Sequence, residues 1–401
     1  MGVLIYAIVM TVIVILVAGK LIFEVNLCPK VISIIKSILR KILWLILALL
    51  GFLFKHKKVS IIGSLSVLSI ILLINLVCVG IMLLESGKMY KSLETVHINA
   101  DLEKRENKLK DCTLIALFGV DNQENDVQSA NRTDTIILVS VNKRTKEIKL
   151  MQVLRDSYMT VEDQYTKINS AYSSGGKKLA VSSLNRNLDL NISEYVVVNF
   201  KAVADAVDYL GGVKLTINSE EERKELNRYI KNMNKINGGD SPVFEQSTHY
   251  PYEATFDGNQ AVAFSRIRKY KGGGDGVRAN RQMEIVKKLL RKAVVHPIKM
   301  TKLVCSVFSK DGAQTSLNRK EIISLIPSVL HAKTKTATTK TYPFEVDNRK
   351  LNGVYYGFPK NMTKNVKQVH AYLFDNKKYT PGEEVKKISR QVQADYKKSR
   401  E

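Results

Sequence analysis

The chain has 401 residues, 45% hydrophobic and 25% charged, with 62 Lys and Arg against 38 Asp and Glu for a formal net charge of +24. Ordinary apolar content and only 8 Pro exclude a disordered chain, and 4 Cys are too few for a disulfide scaffold. The apolar residues crowd the N-terminus, which excludes an ordinary cytosolic domain.

Residues 1–19 and 59–84 carry no charged side chain. Each run is long enough to cross a hydrocarbon core as a helix, which takes about 20 residues. A third run, 42–54, is shorter, but Lys36 and Arg40 before it share one helical face and can snorkel to the interface, extending it. Three crossings are therefore expected within 1–85. The first is not a signal peptide, since it has no basic start and no small-residue cleavage site before Lys20. Basic loops around Lys20–Lys41 and Lys55–Lys58 compete for the inner face. Keeping the second inside sends everything after Leu84 outside.

Residues 86–111 are polar and suggest a stalk. From residue 89 onward 53 cations face 36 carboxylates, a surplus of +17 that attracts polyanions. For an exported domain these are lipid head groups, teichoic acids or pyrophosphate-linked sugars rather than nucleic acid. Cys112 and Cys305 are isolated, and a disulfide between them is left open. There is no zinc-spaced Cys/His cluster, no GxSxG, no HExxH and no Walker loop, so a zinc enzyme or a hydrolase triad is not expected.

In chain order, Thr113–Val120 is an apolar run that predicts a buried strand ending at Asp121. Thr135–Val141 is rich in β-branched residues, and after the turn signal Asn142–Lys146 the stretch Glu147–Leu154 alternates as a third strand. Further strands are expected at Tyr195–Phe200 and Val213–Ile217. Helices are expected at Lys178–Leu188, Lys201–Leu210, Glu220–Met233, Val277–Val295 and Lys320–Leu330, with a polar loop over Asn234–Tyr252 and a basic polar tail from about residue 376 that reads as a frayed helix. Helices interleaved with strands predict a layered α/β domain.

If the first three strands form an antiparallel meander, the end of the first, the start of the second and the end of the third share one rim. That rim gathers Asp121, Asp134 and Arg155-Asp156. A second polar cluster lies downstream. Arg266 and Arg268 are two apart and point the same way in extended chain. Asp275-Gly276 opens a helix on which Arg278, Arg281 and Gln282 share a face. Cations at a helix N-terminus meet a positive dipole, and two of them about 6 Å apart repel by about 3 kcal/mol at an effective dielectric near 20. A bound anion or the nearby Asp residues relieve that, so the pattern suits phosphate; an ordinary salt-bridged surface helix is the plain alternative.

Taken together the segments resemble the LytR-CpsA-Psr family of Gram-positive cell-envelope proteins. The matching pieces are Gly119-Val120-Asp121, Arg132-Thr133-Asp134-Thr135, Leu154-Arg155-Asp156, Lys167-Ile168-Asn169-Ser170-Ala171-Tyr172 and Gly175-Gly176. Tyr209-Leu210-Gly211-Gly212-Val213, Asp257-Gly258-Asn259-Gln260-Ala261, Arg266-Ile267-Arg268 and Asp275-Gly276-Val277-Arg278-Ala279-Asn280-Arg281-Gln282 follow in order. Leu154 stands where the family usually has Pro, and Val262 where it often has Leu.

The resemblance implies an α/β/α domain over 112–375 with a central mixed β-sheet, preceded by N-terminal transmembrane helices. It places the chain in the cell membrane as a multi-pass protein with its catalytic domain outside. It implies transfer of a phosphoglycan, such as teichoic acid or a capsule-like polymer, from a polyprenyl-pyrophosphate donor to peptidoglycan, with membrane lipid as surroundings and no nucleic acid. Arg132, Arg155, Arg266, Arg268 and Arg278 would clamp the pyrophosphate, with Arg281 and Gln282 completing and orienting that set from the helix. Asp121 and Asp134 would hold Mg²⁺ (or Mn²⁺), or Asp134 would act on the acceptor hydroxyl, and both stand with Arg155 as catalytic residues. Asp156 would orient Arg155, Lys167 and Asn169 would line the rim, and Asp275 would cap the helix. A pyrophosphate hydrolase or a non-catalytic polyanion- or lipid-binding protein are the competing readings.

Overall fold

A computed structural model of the chain describes residues 96–120, 133–268, 270, 274–295, 313–317, 321, 324–325, 328 and 338–400. All lie within Ser86–Glu401, a compact unit. The three apolar runs expected to cross the membrane fall outside these residues, as does Cys305. Among the described residues no helix is long and apolar enough to span a membrane.

The expected meander is present. Strand β1 (Cys112–Val120) pairs antiparallel with β2 (Thr133–Asn142), and β2 with β3 (Ile148–Val153), the turn being closed by Lys146 N–H donating to the Asn142 carbonyl. A six-stranded mixed sheet forms around it in the order β10-β3-β2-β1-β6-β9, with β6 (Glu194–Val198) parallel to β1 and β10 (Thr338–Tyr342) parallel to β3. The short edge strand β9 (Ala313–Thr315) runs antiparallel to β6. The central strands are apolar on both faces, as a doubly covered sheet requires. On β2, Ile136 and Leu138 enter one core and Ile137, Val139 and Val141 the other.

One face is covered by α2 (Ser170–Leu188), α7 (Met362–Leu373) and α8 (Glu383–Lys398), through Leu184, Val366 and Ile388 among others. The other is covered by α6 (Asp275–Val295) through Met283, Val286 and Leu290. The domain is thus α/β/α. A satellite core joins β7 (Val213–Ile217) and β8 (Tyr252–Phe256) to α4 (Glu220–Asn237) and α5 (Gly258–Arg266). Helix α3 (Phe200–Tyr209) packs beside α5: Gly258 stands so close to it that a Cβ would sit 2.3 Å from the Ala204 carbonyl oxygen. The Asp257–Ala261 motif is therefore a helix start, with Asp257 and Gln260 in a capping box.

Three expectations are corrected. Helix α2 begins at Ser170 rather than Lys178, because it runs through a kink at Gly175 and Gly176, the latter at φ 60°. The supposed stalk is built into the domain over its last part: α1 (Leu102–Arg105) and the 3-10 turn after it bury Leu102 and Leu109. The helix expected in the polar tail from 376 is present as α8, but it is packed rather than frayed, with Val385, Ile388 and Val392 buried. The charged residues between them mask an apolar stripe at helical spacing.

The two ends of this domain meet at Asp189. Its buried carboxylate accepts from Arg105 Nη1 at 2.5 Å, from Asn99 Nδ2 and Gly382 N–H at 2.9 Å, and from the Tyr379 hydroxyl. Burial alone pushes this carboxyl up, but those four donors outweigh it and hold it below the ordinary Asp value. Next to it the buried His370 ring stacks on Tyr379 and faces Glu106 at 2.9 Å.

Candidate active site

The rim deduced from the meander carries a site. The β1–β2 register slips between Gly119 and Val120, which pair with Thr135 and Thr133, so Asp134 is the extra residue of a bulge. A bulge re-aims a side chain out of the ladder. Gly119 is required opposite it, since a Cβ there would lie 3.0 Å from the Thr135 Cβ.

Arg155 comes from the turn after β3. Its segment is fixed by backbone bonds: Asn169 N–H donates to the Arg155 carbonyl, Gly357 N–H to Asp156 and Ile168 N–H to Ser157. The Arg155 guanidinium reaches Asp134 Oδ1 at 2.5 Å, and Asp156 stands 3.5 Å from its Nε. Asp156 is also 2.9 Å from Lys167 Nζ, at the end of β5 (Gln164–Lys167), which forms a hairpin with β4 (Tyr158–Val161). Asn169 is buried and contributes through its backbone.

Arg268 and Arg278 reach the other oxygen of Asp134, at 3.2 and 3.1 Å. Three guanidiniums from two distant parts of the chain thus converge on one carboxylate. Lys167 and Asp156 stand beside them, and Arg278 is only 3% exposed. Guanidiniums gathered in this way suit the binding of an anion. Beside it lies a cavity of about 380 Å³, lined by Asp134, Arg155, Arg278, Gln282 and the hairpin β11 (Val346–Leu351) and β12 (Val354–Pro359).

Other expected residues are placed elsewhere. Arg266 ends α5 instead of lying in extended chain with Arg268; it hydrogen-bonds Asn232 at 3.0 Å and lies 4.4 Å over the Phe200 ring. Arg281 is 4% exposed, paired with buried Glu222 at 2.5 Å, bonded to the Tyr270 hydroxyl and stacked on Phe264. That placement suits anchoring of α6 to α4. Helix α6 starts at Asp275. Asp121 and Arg132 lie outside the described residues.

Two neighbours of the site escaped the sequence reading. Gln152, next to the last residue of β3, lines the cavity and donates to Gln282 Oε1 at 3.4 Å, while its own Oε1 is buried with no hydrogen-bond partner. The only sequence signal was a polar residue inside an apolar strand. The β11–β12 hairpin was announced by Asn352-Gly353, which take positive φ of 48° and 83° as a two-residue hairpin turn demands. Among the described residues no three His, Cys, Asp or Glu side chains gather to hold a metal ion.

A mixed-sheet α/β/α domain with an arginine-rich rim around one carboxylate defines a protein that handles a phosphorylated or otherwise anionic group. The LytR_cpsA_psr family model matches residues 82–371, and the chain belongs to that family. It is 25% identical over 294 residues to the polyisoprenyl-teichoic acid–peptidoglycan teichoic acid transferase TagU of Bacillus licheniformis, covering 69% of this chain and 87% of that one. It is 28% identical to the transferase TagT of Bacillus subtilis, covering 62% and 72%. The crystal structure of B. subtilis TagT superposes with a TM-score of 0.51 at 23% identity, over 70% of this chain and 99% of that one, a likeness of fold.

Proposed function

We propose that this protein transfers a glycopolymer from a polyprenyl-pyrophosphate carrier to peptidoglycan. An acceptor sugar hydroxyl attacks the glycan-side phosphorus, the bridging P–O bond breaks, polyprenyl phosphate leaves, and a phosphodiester joins the polymer to the wall. The observation that carries the reading is the convergence of Arg155, Arg268 and Arg278 on Asp134 at an open cavity. Phosphoryl transfer needs charge neutralisation and alignment more than a covalent nucleophile. The three guanidiniums neutralise the pyrophosphate, and the donor's anion takes over contacts they make to Asp134. Asp134, so released, accepts the hydroxyl proton or helps to hold a divalent cation.

Mg²⁺ fits here only if most of its ligands come from phosphate oxygens, with Asp134 and, by its place in the sequence, Asp121 as its carboxylates. When bound, it would add Lewis-acid neutralisation of the phosphates. Arg132 belongs to the same rim by sequence. The three apolar runs before residue 85 anchor the chain in the membrane, with the domain on the outer face. Teichoic acid, the substrate named for the relatives, is the first donor to try, and a capsule-like polymer the second.

The test uses the full chain in detergent with a polyprenyl-pyrophosphate-linked saccharide, peptidoglycan oligomers and Mg²⁺. Phosphosaccharide should appear on the glycan with wild type and be lost with Asp134→Ala and Arg155→Ala. Release of saccharide phosphate without attachment would point instead to a hydrolase. Tight donor binding without either product would point to a binding protein.

A further inference from the structure

The β11–β12 hairpin has a face that the anion chemistry does not use. Its register pairs Lys350 with Tyr355 and Asn348 with Gly357, so these four residues share one face by the alternation of strands. Asn348, Tyr355 and Gly357 line the cavity that also holds Asp134 and Arg155. The opposite face is occupied: Phe358 packs 4.5 Å from the Tyr158 ring and Tyr396 bonds Asp347. The cavity face is open, with Asn348 and Lys350 exposed and Tyr355 at 66% exposure, the most exposed of the large hydrophobic side chains described.

That exposure is held in place. Gly357 N–H donates to the Asp156 carbonyl at 2.8 Å, and a Cβ at Gly357 would crowd Val346 at 3.2 Å. The hairpin is therefore tied to the very turn that presents Arg155. Lys350 Nζ lies 5.9 Å from the Tyr355 ring centre, within cation–π range. An exposed aromatic ring, an amide and an ammonium group on one strand pair match the chemistry of a sugar. The ring covers the C–H face of a pyranose, while Asn348 and Lys350 offer hydrogen bonds to hydroxyl, amide or carboxylate oxygens around its edge.

We infer that this hairpin face, centred on Tyr355, is a saccharide subsite that seats a pyranose of one glycan substrate beside the reacting phosphate. The inference rests on the transfer reading for its place in the reaction, but not for the binding itself. The sugar belongs either to the acceptor or to the donor, and the two are separable.

The experiment is calorimetric titration of the full chain in detergent with three probes: an undecorated peptidoglycan tetrasaccharide, a short polyprenyl-pyrophosphoryl disaccharide, and the same lipid pyrophosphate without sugar. Tyr355→Ala should weaken one sugar-bearing probe by about fivefold to tenfold, the range of an aromatic contact. The sugarless lipid should bind as before, and Tyr355→Phe, which keeps the ring, should restore most of the affinity. Loss on the tetrasaccharide assigns the subsite to the acceptor; loss on the lipid disaccharide assigns it to the donor. Unchanged affinity for both sugar probes, or an equal loss on the sugarless lipid, overturns the inference. A parallel transfer assay keeps the two readings apart. Tyr355-dependent sugar binding without transfer leaves the subsite standing and removes the reaction, whereas transfer with no Tyr355 dependence does the reverse.

Discussion

Replacing Asp134 by Asn keeps the shape of the bulge and removes one negative charge from among three guanidiniums. Arg268 and Arg278 place nitrogens 3.2 and 3.1 Å from the same oxygen, so those nitrogens are at most 6.3 Å apart. At an effective dielectric near 20 their repulsion is then at least about 2.6 kcal/mol, before Arg155 is counted. Part of it is relieved because Arg268 is more than one-third exposed, and solvent screens it. A net destabilisation of about 2–3 kcal/mol, or roughly 5–10 °C in Tm, is expected. The sign of the ligand effect is more telling than the size. In the native site Asp134 competes with an incoming anion for the same N–H groups, so Asp134→Asn should bind inorganic pyrophosphate more tightly while transfer falls by about a hundredfold or more. Pyrophosphate should also restore the lost Tm. The assay is calorimetric titration with pyrophosphate beside thermal unfolding with and without it. Weaker pyrophosphate binding by Asp134→Asn would refute the reasoning, because it would make the carboxylate, or a metal on it, part of the anion site instead of its counter-charge.

Other consequences are as direct. Arg281→Ala strands the buried Glu222 carboxylate and should cost about 3–5 kcal/mol by denaturant unfolding, whereas Arg281→Met with Glu222→Leu should recover much of it; an unchanged midpoint in the single variant would exclude the anchoring role. Gly258→Ala drives a methyl against the Ala204 carbonyl and should destabilise by about 1–3 kcal/mol, read as a lower Tm at unchanged pyrophosphate affinity. Asp189 is held below its ordinary value of 3.8 in the folded protein, so the stability it confers is fully present above about pH 4 and is lost as the pH falls through 3.8 toward the folded value. Asp189→Asn should lower stability near neutrality and flatten that acid limb; a limb of unchanged steepness would show that other carboxylates set it.

The β1–β3 meander was legible because alternation, β-branched composition and a turn of Asn142–Lys146 agree with one another, and agreement between levels is what fixes a structure. Once the meander is drawn, Asp134 and Arg155 meet on one rim without further information. The bulge that aims Asp134 was not legible, since one extra residue leaves no mark in a hydrophobic pattern. Nor was the division among the arginines. Arg278 and Arg281 have equivalent helical spacing, yet one serves the site and the other a buried pair. The difference is Glu222, 59 positions away, and spacing on a helix carries no news of a distant partner. The C-terminal helix was legible but its place in the core was obscured by composition: Val385, Ile388 and Val392 are diluted by the lysines between them. Asn352-Gly353 was readable as a hairpin, and with it Tyr355 would have been placed on a rim, though not on this one.

The junction at Asp189 also orders events in time. A nascent chain presents Asn99, Arg105 and then Asp189 long before Tyr379 and Gly382. Until then the carboxylate lacks two of its four donors and the sheet face under α8 stays uncovered. Synthesis can therefore lay down every site residue, from Asp134 to Arg278, well before the domain can close around them. A polypeptide released early would hold the chemistry without the enclosure and would expose apolar strand surface to its surroundings. Helix α8 thus closes over the core only after the site residues from Asp134 to Arg278 have been made.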